Sequence, residues 1–374
     1  MARYWTENTL LNWKAAIVLG LISSTFSTLV SQFTAGRIGR DALVDWMIVA
    51  TIPLRDAAMQ AEPTWPLVLA GILFHQWADF SWEVIFFGLF GFLTARLSPF
   101  VLMIVAAPWA VFTSASEWFF LVPVFPFWQA TFPLEQTYWI GFLVHATSAS
   151  MYPLYPFIRD KVGGIRPSPN RGFARVWSAV ALGGLCVVGA GALAGSLGHE
   201  LPHAGRNVPY DQAFIRDMRS HHVQGIELAE MAAERAADDH LRAVARLMVA
   251  TQKGDIAIFD TWWKSWFGPV PDGAMHDHAM PGMLDPEEVD QLRGATGPAF
   301  DPLFIRLMTT HHSGAIAMAD EAMHEGGDSR IRIMAHALRH QQLGEIELMR
   351  GTAGFDAVAA ATRAMVAATP PVQP

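Results

Sequence analysis

The chain has 374 residues, with 26 Lys and Arg against 34 Asp and Glu and a formal net charge of −8. That acidic balance offers no basic face for phosphates and excludes nucleic acid as a partner. The single cysteine, Cys186, lies in an apolar run, so a disulfide framework is excluded as well.

The 52% hydrophobic and 16% charged content averages two unlike halves. Residues 1–197 read as a helical membrane domain of about five spans, since an apolar helix needs about 20 residues to cross the hydrocarbon core. The candidates are Ala15–Phe33, Pro66–Leu97, Phe100–Val122, Tyr138–Phe157 and Phe173–Leu193. The first lacks a small-x-small cleavage site and reads as an anchor. Ala42–Leu54 is too short to span comfortably and suggests an interfacial helix. Before the last span, Arg159, Lys161, Arg166, Arg171 and Arg175 outnumber the one acid, Asp160. The positive-inside rule puts that loop in the cytoplasm and the C-terminal half outside a bacterial inner membrane. Arg37 and Arg40 fall on the wrong side in this topology.

The second span carries ionisable residues. His75, Asp79 and Glu83 are spaced by four and share a helical face, and Glu117 and His145 add to them from later spans. Such groups are costly in a bilayer and face a cavity or a partner. They form either an intramembrane proton or cation path or a structural set beside a wet helix break at 78–81.

Past a linker at 198–210, residue n matches residue n+90. Phe214 pairs with Phe304, Met218 with Met308, His221 with His311, His222 with His312, Gln252 with Gln342, Gly254 with Gly344 and Asp255 with Glu345. A constant offset over this length is an internal duplication. Each repeat, 211–266 and 301–352, reads as a helical hairpin, with Asp211 as an N-cap in the first and Asp301-Pro302 opening the second. Two tandem hairpins predict an all-α, four-helix bundle with a pseudo-twofold axis. Residues 353–374 read as a flexible tail.

Twelve of 14 His and twelve of 17 Met lie beyond residue 198. Imidazole and thioether without thiol suit a soft metal ion such as Cu(I), although other transition metals fit too. Within a helix Met218 has His221 and His222 three and four residues on, and Met308 has His311 and His312 likewise. Adjacent residues project about 100° apart, so only one His of each pair is expected to point into the core. Gln252, Asp255, Gln342 and Glu345 could hold ring N–H groups from the facing helices. The alternative is a structural hydrogen-bond network of the same side chains. The link between the repeats adds Met275, His276, His278, Met280 and Met283, an open soft-metal capture motif. His199/His203 and His336/His340 have i,i+4 spacing but read as surface pairs.

These motifs, Phe214-x3-Met218-x2-His221-His222, Gln252-x2-Asp255-Ile256, Met280-Pro281-Gly282-Met283, Phe304-x3-Met308-x2-His311-His312 and Gln342-x2-Glu345-Ile346, resemble the domain-of-unknown-function family numbered 305 over residues 205–352. The resemblance implies a ferritin-like bundle and copper binding or tolerance. No family is recognised for the membrane half.

The expected function is a membrane-anchored extracytoplasmic Cu(I) buffer or chaperone whose partners are a metal ion, the lipid bilayer and a copper-handling protein. Because imidazole must be neutral to ligate, affinity is expected to fall below about pH 6. One alternative is a metal transporter or sensor whose spans relay ions or protons. A di-metal oxidase fits less well, because the inward acids are only Asp255 and Glu345 where that chemistry uses four carboxylates.

Overall fold

The computed structural model describes the backbone of residues 2–121, 131–269 and 280–366, and side chains from residue 8 to 365 within those ranges. Every regular element among the described residues is a helix, and none is a strand. In chain order the helices are α1 (Ala2–Thr34), α2 (Ala42–Leu54), α3 (Trp65–Leu89), α4 (Gly91–Thr94), α5 (Pro99–Ser116), α6 (Thr131–Glu135), α7 (Tyr138–Ala149) and α8 (Tyr155–Val162). They continue with α9 (Arg171–Ser196), α10 (Val208–Arg235), α11 (Asp239–Trp266), α12 (Pro286–Gly294), α13 (Phe300–Glu325), α14 (Ser329–Met349) and α15 (Gly354–Val366).

The chain forms two compact units that are not consecutive in sequence. The first gathers residues 1–34, 72–120 and 139–190, and the second gathers 35–71, 121–138 and 191–374. Two segments lying between the apolar stretches therefore belong with the C-terminal helices, a grouping that hydropathy gave no sign of.

In the first unit Phe86, Phe87, Tyr152 and Tyr155 stack in an aromatic core with Leu19 and Leu102. Burying each large side chain contributes roughly 2 kcal/mol. Five spans are expected from hydropathy, and among the described residues three helical stretches combine the length and apolarity to cross a membrane: Asn8–Ile38, Pro99–Leu121 and Arg171–Ser196. Helix α3 is long enough, at 25 residues, but His75, Gln76, Asp79 and Glu83 dilute it. It runs unbroken through 78–81, where no Gly or Pro interrupts it, so the wet-break reading is set aside. The expected span 138–157 is divided. Helix α7 ends at Ala149, a tight turn holds Pro153, and α8 restarts with Pro156 in its first turn, where a missing N–H costs nothing.

In the second unit α10 packs on α11, α13 on α14, α10 on α13 and α11 on α14, enclosing a core of Phe214, Met218, Phe259, Trp262, Met334 and Leu338. The duplication shows in how the hairpins hold each other. Asp211 lies inside α10 instead of capping it. Its carboxylate accepts hydrogen bonds from Gly327 N at 2.7 Å and Asp328 N at 2.9 Å, in the turn of the other hairpin. Asp301, ninety residues on, accepts from Ala237 N and Asp238 N, both at 2.9 Å. Each repeat thus caps the turn of its mate. Asp238 and Asp328 then cap α11 and α14 through their own side chains.

The inserted segments seat on two glycines that are repeat mates. At Gly254 a Cβ would lie 3.0 Å from Asp41 Cβ, and at Gly344 it would lie 1.9 Å from the carbonyl oxygen of Leu134. Helix α2, expected to lie in a membrane interface, is instead largely buried, with Trp46, Met47 and Ile48 inside the unit. Arg37 and Arg40 are held in ion pairs with Glu200 at 2.8 Å and Asp45 at 2.6 Å. Gly195 leaves room for the first of these. Residues 354–366, expected as a flexible tail, form α15, whose Ala357 and Ala361 are buried. Small apolar residues on one face let that helix lie close against its neighbours.

Candidate metal centre

Both histidines of each pair are buried, contrary to the expectation that only one would point inward. The reason is that α10 and α13 each have two inner faces, one toward the hairpin partner and one toward each other. His222 faces α11, where its Nε2 donates to Asp255 Oδ2 at 3.1 Å. His312 faces α14, where its Nε2 donates to Glu345 Oε2 at 2.5 Å. His221 and His311 meet each other, with ring centroids 3.9 Å apart and planes tilted by 37°. His221 Nε2 donates to the carbonyl oxygen of Pro281 at 3.1 Å, and His311 Nε2 donates to the carbonyl oxygen of His221 at 3.1 Å.

These acceptors fix the tautomers. A carbonyl or carboxylate oxygen only accepts, so the proton sits on Nε2 and Nδ1 keeps its lone pair. For His221, His311 and His312 that Nδ1 is buried and has no hydrogen-bond partner. Gly225 makes room at this point: a Cβ there would lie 2.3 Å from Gln252 Oε1 and 2.9 Å from His311 Cε1. The Gln252 amide, expected to hold a ring N–H, has neither its oxygen nor its nitrogen bonded. Its repeat mate Gln342 donates to Glu345 at 3.4 Å. Glu345 also accepts from Thr251 at 3.1 Å and Gln341 at 3.3 Å.

The linker matters through its backbone. Pro281 and Gly282 press onto Gly314, where a Cβ would lie 1.9 Å from the Pro281 oxygen, and Gly282 has a φ of +75° that favours glycine. Gln224 holds Leu284, two residues on, by a reciprocal pair of bonds at 2.8 and 2.9 Å. The close approach at Gly314 lets the Pro281 carbonyl orient His221. Met280 and Met283 are half-buried beside this contact. Met275, His276 and His278 lie outside the described residues. Met218 and Met308 are fully buried one turn before their histidines.

Burial holds the His221 ring neutral, its pKa lowered to about 3, with the neighbouring His222 adding to the effect. His311 is pushed well below the usual imidazole value by burial and then by His221. Asp255 is raised by burial, against the pull of His222. The inserted segment brings a further acid, unnoticed in the sequence. Glu135, at the end of α6, is completely buried, and neither carboxylate oxygen has a partner. Burial first and then the charge of Glu345 raise its pKa well above the usual carboxylate value. Beside it His340 Nε2 donates to the carbonyl oxygen of Pro133 at 3.0 Å, and burial lowers that imidazole to about 4, so it is not a surface residue. His203 is likewise engaged, donating to Asp211 at 2.7 Å. No residue pattern announced Glu135; only its distance from the nearest Lys or Arg in sequence hinted at a special setting.

Among the described residues no three His, Cys, Asp or Glu side chains converge as a ligand cluster. What the four helices offer is lower-coordinate: imidazole lone pairs and buried thioethers. A Glu-x-x-His spacing of the kind used by di-metal oxidases occurs at Glu321–His324, but both residues are exposed. His75, Asp79, Glu83, Glu117 and His145 gather in the first unit.

Paired helical hairpins that bury matched His-His motifs against matched acids define a class of duplicated all-helical domain. Residues 211–353 match the model of the DUF305 family, domain of unknown function. A DUF305 protein from Streptomyces coelicolor is similar at 29% identity, covering 39% of this chain and 94% of that one with a TM-score of 0.34. CopM in its Cu(II)-bound form is similar at 32% identity, covering 38% of this chain and 93% of that one with a TM-score of 0.34. CopM in its Cu(I)-bound form is similar at 30% identity over the same shares, with a TM-score of 0.33. No curated protein matches the chain.

Proposed function

We propose that this protein is a membrane-anchored Cu(I)-binding protein, acting as a buffer or chaperone in copper tolerance. The reading takes α10, α11, α13 and α14 as a ferritin-like four-helix bundle, tethered by the apolar helices and held on the extracytoplasmic side. The observation that carries it is the set of buried Nδ1 lone pairs on His221, His311 and His312, each opposite an Nε2–H fixed by a carbonyl or carboxylate. A purely structural network would have partnered those atoms, because an unsatisfied buried acceptor costs about 1–3 kcal/mol. Metal-ligating histidines carry this signature of one nitrogen bound outward and the other left for the ion.

The donor set fits the soft ion. His221 and His311 would supply two neutral imidazoles, and Met218 and Met308 would add thioethers, a set that favours Cu(I) over harder cations. His222 and His312, with Asp255 and Glu345, would position the inner pair and offer counter-charge. Bound copper would supply the missing partner for the lone pairs. The Met275–Met283 stretch would serve for acquisition. That CopM is solved with Cu(II), Cu(I) and Ag supports the same reading.

The test is metal content of the purified full chain after Cu(I) loading under anaerobic conditions. The protein retains copper, and a variant with His221, His222, His311 and His312 all replaced by alanine retains none while keeping its helicity. Equal retention by both would overturn the assignment.

A further inference from the structure

In the first unit four helices turn polar side chains toward one interior. Helix α1 brings Ser23 and Ser27, α3 brings His75, Asp79 and Glu83, α5 brings Thr113 with Glu117 in the π-helical turn that follows, and α7 brings His145 and Ser148. Their contacts are continuous. Trp82 Nε1 donates to Glu117 at 2.5 Å, and His145 Nε2 lies 3.2 Å from Glu117. His145 Nδ1 lies 3.1 Å from Thr113 Oγ1 and 4.0 Å from Asp79. Ser27 donates to Asp79 and lies 3.3 Å from His75 Nε2, which is 3.7 Å from Asp79. One helical turn further, Glu83 accepts from Ser23 and, at 3.3 Å, from Ser148. The phenol of Tyr152 lies near enough to feel the charges of both Asp79 and Glu83.

The cluster has an open end and a closed end. The side chains of Glu117 and His75 are 22% and 12% exposed, whereas Asp79 is 3% exposed and Glu83 is sealed. Past Glu83 comes the aromatic core of Phe86, Phe87 and Tyr155. The strongest charges acting on Glu83, Glu117 and His145 come from one another and from Asp79 and His75. Interlocking apolar helices needs only serine and threonine hydroxyls. Three carboxyls and two imidazoles in such a place cost several kcal/mol more and mark a functional site. No three of them close around a common point as metal ligands do, but each neighbours the next as proton carriers do.

We propose that this cluster is a proton-binding chain, entered at Glu117 and His75, passing through His145 and Asp79, and ending at Glu83. Each step moves one proton between neighbouring oxygen and nitrogen atoms, with none gained or lost except at the open end. The dead end at Glu83 means that the chain takes up and returns protons through one mouth. This assignment is independent of copper binding by the C-terminal helices.

The test is labelling of the full chain in detergent micelles with dicyclohexylcarbodiimide, an apolar reagent that adds to protonated carboxyls, followed by peptide mass spectrometry across a pH series. Glu83 is labelled in the wild-type protein, and the extent falls through one midpoint as pH rises. Glu83→Gln removes the label, and Asp79→Asn moves the midpoint by roughly half a pH unit or more, because a neighbouring charge has gone. Absence of label on Glu83, or labelling that does not change with pH, would overturn the proposal without needing any variant to fold. An unmoved midpoint in Asp79→Asn would overturn it too.

Discussion

Acid should loosen the copper-free protein at α10 and α13, and His221 sets the scale. Its pKa falls from 6.5 in the unfolded chain to about 3 in the folded one, chiefly through burial. A histidine depressed in this way contributes stability that is complete above 6.5 and is lost as pH falls toward the folded value. At pH 5, roughly 1.5 units below the unfolded pKa, the loss is about 2 kcal/mol, close to a 30-fold rise in the opened fraction. His311 shifts in the same direction and adds to it. Asp255, whose carboxyl is raised by burial, works the other way as pH falls. A difference measurement therefore isolates the histidine. Hydrogen exchange of the detergent-solubilised full chain, corrected for the intrinsic rate, reports the opening free energy of these helices at pH 7 and pH 5 in the wild type and in His221→Asn. The wild type loses about 2 kcal/mol more than the variant. Equal losses would refute the claim that a neutral imidazole is locked in this core.

The same burial revises the expected pH profile of binding. Ordinary imidazoles would cost about 30-fold in affinity each between pH 7 and pH 5, whereas protons compete little for rings held neutral. Cu(I) affinity measured by chelator competition therefore stays within about tenfold over that range for as long as the helices remain protected from exchange. Gly344→Ala, whose Cβ would meet the Leu134 carbonyl at 1.9 Å, displaces α6 from α14. The overpacking cost of about 1–3 kcal/mol exceeds the helix-propensity gain of about 1 kcal/mol, and hydrogen exchange rises in residues 131–138. Asp211→Ala leaves two turn N–H groups and His203 without their partner. It destabilises by about 2 kcal/mol or more in thermal melts, and by more than Asp301→Ala, whose partners are exposed.

The C-terminal helices were legible because duplication doubles every signal. Met218 and Met308, the His pairs and the Gln and acid mates all recur at one offset, and the structure buries both members of every pair, although Gln252 is unbonded where Gln342 donates to Glu345. Periodicity could not show that α10 and α13 have two inner faces, because that depends on which helices pack against both, and so it underestimated the buried histidines. The reciprocal bonds of Asp211 and Asp301 were misread as local caps for a similar reason: a cap signature does not say whose amides are nearby. The inserted segments were invisible, since nothing in Ala42–Leu54 or residues 131–138 states that glycines 254 and 344 leave space for them. Glu135 owes its environment entirely to that packing. In the first unit the four-residue spacing of His75, Asp79 and Glu83 identified a shared face, while Ser23, Ser27, Thr113 and Ser148 look like ordinary small residues until four helices bring them together.

The central claim is that the Nδ1 lone pairs of His221 and His311 hold Cu(I). Anaerobic Cu(I) competition on the full chain, comparing the wild type with a His221→Ala, His311→Ala double variant, measures it most directly. The double variant binds at least about a hundredfold more weakly while α10 and α13 keep their hydrogen-exchange protection. Undiminished affinity in a variant that stays folded would contradict the assignment.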